Sequence, residues 1–194
     1  MKKGGLKAET ESEIVAAQDQ TLNTKYYATK ILNTEMDSKC RLGQKLGETV
    51  DHIISASPIL AKEQYVKRHD KMRAQLHFNI CKEIWVQTDK KHWCEHVPKS
   101  LETNQGGKVT ILWIQQVQTT PSNKPDIKIR DNEKGTCMLI DVAISGDRNV
   151  IKKVAEKILK YEDLTIEIQS MWNVKTRVIP EVFGATGTVS KSLR

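Results

Sequence analysis

Lys124-Pro125-Asp126-Ile127-Lys128-Ile129-Arg130, then Asp131-Asn132-Glu133-Lys134-Gly135, then Thr136-Cys137-Met138-Leu139-Ile140-Asp141-Val142-Ala143-Ile144-Ser145 is the stretch whose reading decides the fold. Ile127 and Ile129 alternate with Lys128 and Arg130, the period of a strand with one buried face. The polar residues 131–135, ending in a glycine, predict a turn. Residues 137–144 are an apolar run with a single charge, Asp141. A carboxylate inside a buried strand is costly unless a metal, a base or a proton neutralises it. Fourteen residues separate Asp141 from Asp126, which opens the first strand. Paired as a hairpin, the two strands would bring both carboxylates to one end of the sheet, where they could share a cation. The alternative is that Asp141 pairs with a core Arg or Lys.

Outward from this hairpin, the chain reads as alternating helices and strands. Upstream, residues 7–32 predict one helix with Ile14, Ala17, Leu22, Tyr26 and Ile31 loosely on one face. Residues 53–77 and 76–86 are helical again, with Ile59, Leu60, Tyr65 and Met72 as a buried stripe. Lys67, Arg68, Lys71 and Arg73 fall on the remaining surface, either as a solvated face or as a surface that tracks phosphates. His69 between Arg68 and Asp70 reads as a local hydrogen-bonding residue, the alternative being a general base. Cys81, His92, Cys94 and His96 lack the paired ligands of a metal loop and are read as accidental. Residues 98–107 predict a loop, 108–117 a strand and 119–124 another loop. Downstream, Asp147 or Asn149 caps a helix whose stripe of Ile151, Val154, Ala155, Ile158, Tyr161 or Leu164, Ile168 and Met171 favours helix through to Trp172, although the pattern also allows an end near Tyr161. Residues 175–183 close the pattern as a strand.

The 194 residues fit one domain, or one domain with a small module attached. Thirty-one basic against twenty-four acidic residues leave a net charge of +7, which favours a polyanionic partner. No uninterrupted apolar run approaches a membrane span, and the basic N-terminus lacks the apolar block of a signal peptide. Four scattered cysteines then read as reduced thiols inside a cell.

Pro125-Asp126, fourteen residues and Asp141 in an apolar strand resemble the PD-(D/E)XK restriction-like endonucleases, most closely the version at the C-terminus of non-LTR retrotransposon polyproteins. The resemblance runs from Cys40-Arg41-Leu42, Glu48-Thr49-Val50-Asp51-His52-Ile53 and Arg68-His69-Asp70 to Glu156-Lys157 and Lys160-Tyr161-Glu162-Asp163-Leu164. It implies an α/β (α+β) fold: a restriction-endonuclease-like mixed sheet flanked by helices behind a mostly helical N-terminal region. The implied organisation is a linker helix region at 1–37, a degenerate zinc-knuckle-like module at 38–75 and the endonuclease domain at 76–194. It implies Asp126 and Asp141 as ligands of Mg²⁺ or Mn²⁺, with the Val142 carbonyl as a third. Two residues after the second acid, where the wider group carries a lysine, stands Ala143; the basic group then falls to Lys160 or Lys157 beside Tyr161, with Lys160 favoured. The other reading of those lysines is a solvated helix face.

The family's zinc knuckle has cysteines where this chain has Gly43 and Ser57, which leaves Cys40 and His52 as residual ligands. A structural zinc takes four good ligands, so zinc is not expected there. The implied function is Mg²⁺-dependent nicking of target DNA for target-primed reverse transcription. The implied partners are DNA, or RNA of the element, and the reverse transcriptase domain of the parent polyprotein; the implied location is the nucleus. The alternative is a catalytically inactive nucleic-acid-binding remnant.

Overall fold

The structure, a computed structural model, describes residues 7–86, 92–113, 124–145 and 150–184. The predicted 7–32 helix is two helices, α1 (Ala8–Gln18) and α2 (Lys25–Lys30). Gln20 takes a left-handed φ of 59°, which ends the first, and the Thr24 hydroxyl caps the second by accepting from Tyr27 N–H at 3.1 Å. Of α1 only Ala17 is buried, so the loose apolar face read from sequence does not pack as one stripe.

Residues 39–47 fold back on themselves through a Lys39–Gly47 bridge, with Cys40 N–H donating to the Leu46 carbonyl at 2.8 Å. The chain then enters two π-helical turns, His52–Ala56 and Ala61–Tyr65, on either side of the single turn α3 (Pro58–Leu60). The second runs directly into α4 (Val66–Glu83). That helix crosses the boundary drawn between 75 and 76 and contributes to the core on both sides of it.

The described strands form one mixed sheet in the order β1 (Leu101–Thr103), β2 (Val109–Trp113), β3 (Ile127–Asp131), β4 (Thr136–Ser145), β5 (Lys175–Gly184). β1 lies inside the segment read as a loop, its three residues too few to carry a pattern. β2 covers the first part of the predicted 108–117 strand, and the rest lies outside the described residues, as do the proposed caps Asp147 and Asn149. β3 and β4 form the expected antiparallel hairpin, Ile127 opposite Ile140 and Ile129 opposite Met138. Asp131 fixes its turn by accepting Glu133 N–H and Lys134 N–H at 3.1 and 2.9 Å, while Gly135 supplies a φ of 59°.

β5 pairs with β4 in parallel, so the connection must cross over the sheet, and α5 (Val150–Lys160) and α6 (Glu162–Trp172) make that crossover. The favoured single helix therefore breaks at Tyr161, whose φ and ψ of −106° and 13° are not helical. Its predicted buried stripe is only partly buried: Tyr161 and Ile168 are enclosed, whereas Ile151 is 86% exposed and Met171 60%.

β4 separates two cores. Ile140 and Val142 face Leu76 and Cys81 of α4, together with Ile111, Ile127 and Ile179. Cys137 and Leu139, one residue out of phase, face Ile168 and Val174. Asp141 shares the second phase and so points toward the α5–α6 layer.

Glu48, 3% exposed, ties the N-terminal region together. It accepts Lys25 N–H at 3.0 Å, Arg41 N–H at 2.9 Å and the Arg41 Nε at 3.1 Å. Burial pushes its pKa up, but the Arg41 and Lys25 amides and the Arg41 guanidinium outweigh burial and hold it below the ordinary glutamate value. A carboxylate depressed in the folded state stabilises it above the unfolded pKa, and that contribution is lost as pH falls through the folded one. Glu48→Gln should therefore cost about 1–3 kcal/mol at neutral pH. In urea unfolding the gap between parent and variant should close as pH falls below about 4. A gap that is the same at acid and neutral pH would mean that the charge contributes nothing.

Candidate active site

Where β3 ends, β4 continues. Extending the β3–β4 register would set Pro125 opposite Val142, and proline has no N–H to give. Side chains complete the ladder instead. Val142 N–H donates to Asp126 Oδ2 at 2.7 Å, and the Val142 carbonyl lies 3.1 Å from His69 Nε2. A carbonyl only accepts, so Nε2 carries the proton in that contact. The other oxygen of Asp126, Oδ1, lies 2.9 Å from Arg73 Nε. Asp126 is fully buried and Arg73 is 5% exposed, with its guanidinium 4.5 Å over the Trp113 ring. Arg73 is thus no part of a solvent-facing stripe; it is a core partner of Asp126.

Asp141, 1% exposed, is met from the other layer. The Lys157 ammonium contacts its Oδ2, and the Tyr161 hydroxyl lies 2.9 Å from its Oδ1. That hydroxyl is also 3.0 Å from the Lys124 carbonyl and accepts from Lys160 Nζ at 2.9 Å. With one proton it donates to one of these two oxygens at a time, and it sits between residue 124, just ahead of β3, and the middle of β4. The helix break places the ring here: Tyr161 is fully buried while its neighbours Lys160 and Glu162 are exposed. Lys157, not the favoured Lys160, is the lysine that touches the acid; Lys160 reaches it only through Tyr161.

Burial is the largest influence raising the Asp126 pKa; the Asp141 charge adds to it, and Arg73, the Val142 amide and His69 oppose both. Repulsion between the two acids is therefore the smaller contributor. Burial, reinforced by Asp141, also pushes the Tyr161 phenol far up, so it acts as a neutral hydrogen-bonding group.

Glu181 was not found from sequence. It is fully buried and paired in register with Val142, which directs its side chain to the sheet face that α4 covers. The signal was available: it is the one charge in Val178-Ile179-Pro180-Glu181-Val182-Phe183, the same anomaly that marks Asp141.

The basic residues of the 66–73 segment divide. Lys67 pairs with Glu63 at the surface and Lys71 is exposed. Arg68 donates to the Ile54 carbonyl at 2.9 Å and lies 5.1 Å over Tyr65. Lys67, Arg68 and Lys71 line one open groove with Ile54, Tyr65 and Trp93, and Arg73 is absent from it.

Oxygen donors alone, two buried aspartates and a strand carbonyl, are the set that a hard divalent cation takes. Asp126 and Asp141 are oxygen donors of that kind, and the Asp141 charge acts on Asp126. The knuckle is short of zinc ligands. Cys40, His52 and Ser57 are buried, and neither His52 ring nitrogen nor the Ser57 hydroxyl has a hydrogen-bond partner among the described residues. Two good ligands remain, two short of a structural shell.

A Cβ built at Gly43 meets nothing within 4 Å, so a cysteine is accommodated there. Gly43→Cys combined with Ser57→Cys should add one equivalent of bound zinc over the parent and raise the melting temperature when zinc is supplied. No gain in zinc would mean that residues 40, 43, 52 and 57 do not converge on one point.

Compared with known proteins, the chain matches no protein-family model and no curated protein sequence.

Proposed function

We propose that this chain is a metal-dependent DNA endonuclease of the restriction-like kind, the fragment of a non-LTR retrotransposon polyprotein that nicks target DNA for reverse transcription. The observation that carries this reading is the pair of buried aspartates, Asp126 just ahead of β3 and Asp141 in the middle of β4, with a lysine and a tyrosine against the second. A five-stranded mixed sheet with helices on both faces is compatible with that fold class. The same reading places the chain in the nucleus beside a reverse transcriptase domain; no helix among the described residues is long and apolar enough to cross a membrane.

In this reading Asp126 and Asp141 would hold Mg²⁺, which would supply neutralisation of phosphate charge and a lowered pKa for an attacking water. The remaining work belongs to the chain's own groups. Lys157 takes the place of the lysine that Ala143 lacks, its ammonium able to steady a phosphate oxygen beside Asp141. Tyr161 keeps Asp141 oriented, and Arg73 and the Val142 amide keep Asp126 oriented. Lys67, Arg68 and Lys71 supply a groove for the DNA backbone.

One observation favours a second reading. Arg73 sits on Asp126 and Lys157 on Asp141, so each acid already has a protein cation against it. That balance suits a catalytically idle binding remnant. Supercoiled plasmid with Mg²⁺ or Mn²⁺ separates the two. The parent should nick it, and Asp126→Ala and Asp141→Ala, each verified as folded by circular dichroism, should lose at least about a hundredfold in rate. No nicking by the parent, together with salt-sensitive DNA retention, would leave the remnant.

The groove makes a separate expectation. Lys67→Ala with Lys71→Ala should weaken binding to any DNA sequence and flatten the slope of log affinity against log salt by about two units. An unchanged slope would return these lysines to ordinary solvation.

A further inference from the structure

Among residues 92–103, Glu102 alone is buried, and it is a carboxylate. Val97 is 79% exposed and Leu101 58%, so this segment has little apolar surface with which to hold itself to the domain. What holds it is polar. His77 and Cys81, four residues apart, lie one above the other on the last turns of α4. His96, which follows the 3-10 turn Trp93–Glu95, brings its Nε2 within 2.9 Å of His77 Nδ1. Cys81 Sγ lies 3.5 Å from His77 Nδ1 and 2.9 Å from Glu102 Oε2 at the centre of β1. Glu102 Oε2 is in turn 3.7 Å from His77 Nε2.

We propose that His77, Cys81 and His96 form a zinc site that fastens residues 92–103 to the end of α4, with the neighbouring Glu102 carboxylate or a water left to complete the shell. Donor atoms of the two histidines and the cysteine all lie within 4.8 Å of one another. Around a tetrahedral zinc, bonds of about 2.0 Å to nitrogen and about 2.3 Å to sulfur put neighbouring ligand atoms roughly 3.3–3.6 Å apart. The 3.5 Å from Cys81 Sγ to His77 Nδ1 matches that spacing, and the 2.9 Å from His77 Nδ1 to His96 Nε2 is somewhat shorter. Sulfur and two imidazoles are a donor set that suits zinc and suits magnesium or calcium poorly. Burial lowers the His77 pKa to about 4, against the pull of Glu102, and lowers that of His96 as well. Both rings are thus neutral, with a nitrogen lone pair to give. Cys81 now donates its S–H to Glu102; on binding, the thiol gives up that proton to solvent and coordinates as thiolate.

This site differs from the knuckle and from the 92–96 pattern in the sequence. His92 and Cys94 stay out of the cluster, and Cys94 is exposed. His77, nineteen residues before His96, takes their place. The site also stands apart from the nuclease reading, because none of its residues touches Asp126 or Asp141.

The test uses the full chain purified without chelator, with zinc measured by elemental analysis and cobalt substitution followed by absorbance. The parent should carry one zinc per chain. Its cobalt form should show the thiolate charge-transfer band and the visible bands of a tetrahedral ion. Removing zinc should lower the melting temperature, and restoring it should bring the value back. His96→Ala and Cys81→Ser should lose the zinc, the thiolate band and the thermal shift, while Cys94→Ser and Cys40→Ser should keep all three. His96 is only half-buried, so its variant should fold even where Cys81→Ser does not, and it carries the test in that case. A parent without stoichiometric zinc or cobalt, zinc retained by His96→Ala, or zinc lost from Cys94→Ser or Cys40→Ser would each overturn the proposal.

Discussion

Asp126 is fully enclosed, and the way its charge is satisfied determines what surrounds it. A buried carboxylate stripped of partners costs several kcal/mol, about 3–5 when one member of a buried ion pair is removed. Here the Arg73 guanidinium takes one oxygen and the Val142 amide the other. Each contact fixes an element. Arg73 fixes the rotation of α4 about its axis, because a turn of that helix would carry the guanidinium off Asp126. Val142 fixes the end of the β3–β4 ladder, because the amide bonded to Asp126 would otherwise face proline. Leu76, one turn on from Arg73, then falls onto Ile127 and Ile140 as a consequence. Satisfaction of one charge and burial of the apolar face are the same packing solution.

Much of this was legible in the chain. The β3–β4 hairpin follows from alternation and a polar turn, and the structure adds its register, Ile127 opposite Ile140 and Ile129 opposite Met138. The oddity of Asp141 follows from its apolar neighbours, and the structure supplies a lysine against it. Other features needed the third dimension. Arg73 reads as one basic residue among four, since nothing local says that its face of α4 meets the sheet while Lys67 and Lys71 meet water. The break at Tyr161 is one of two ends that the pattern allows, and apolar residues at steps of three and four across it favour the other. What interrupts the helix is distant: a hydroxyl seated between Lys124 and Asp141. β1 is legible only as partner of β2, Glu102 opposite Ile111. Short edge strands carry too few residues to show a period.

The two lysines at the end of α5 illustrate how burial sorts residues that a sequence leaves equivalent. Lys157 and Lys160 are three apart and so share a face. Lys157 is drawn inward because Asp141 has an oxygen facing that layer. Lys160 stays exposed and lends its ammonium to the Tyr161 hydroxyl, with its charge 4.7 Å over the same ring. The Tyr161 oxygen, accepting from an ammonium, is a better donor to Asp141 than an isolated phenol would be, since hydrogen bonds in a chain polarise one another. Lys160 thereby acts on Asp141 at one remove.

A similar linkage joins the acidic site to the polar cluster at the end of α4. The Arg73 guanidinium lies 4.5 Å over the Trp113 ring, and the His77 ring meets the same indole edge-on at 5.1 Å. Trp113 is the last described residue of β2, opposite Ile127, which adjoins Asp126. One aromatic ring therefore has the acid's guanidinium on its face and a histidine of the cluster against it. Anything that fixes His77, whether hydrogen bonds to His96 or a shared metal, also limits the tilt of Trp113 and with it the room in which Arg73 can leave Asp126. The aspartates are held directly by their ion pairs and indirectly by a polar cluster they never touch. Loosening the cluster should reach the acid site through a single tryptophan.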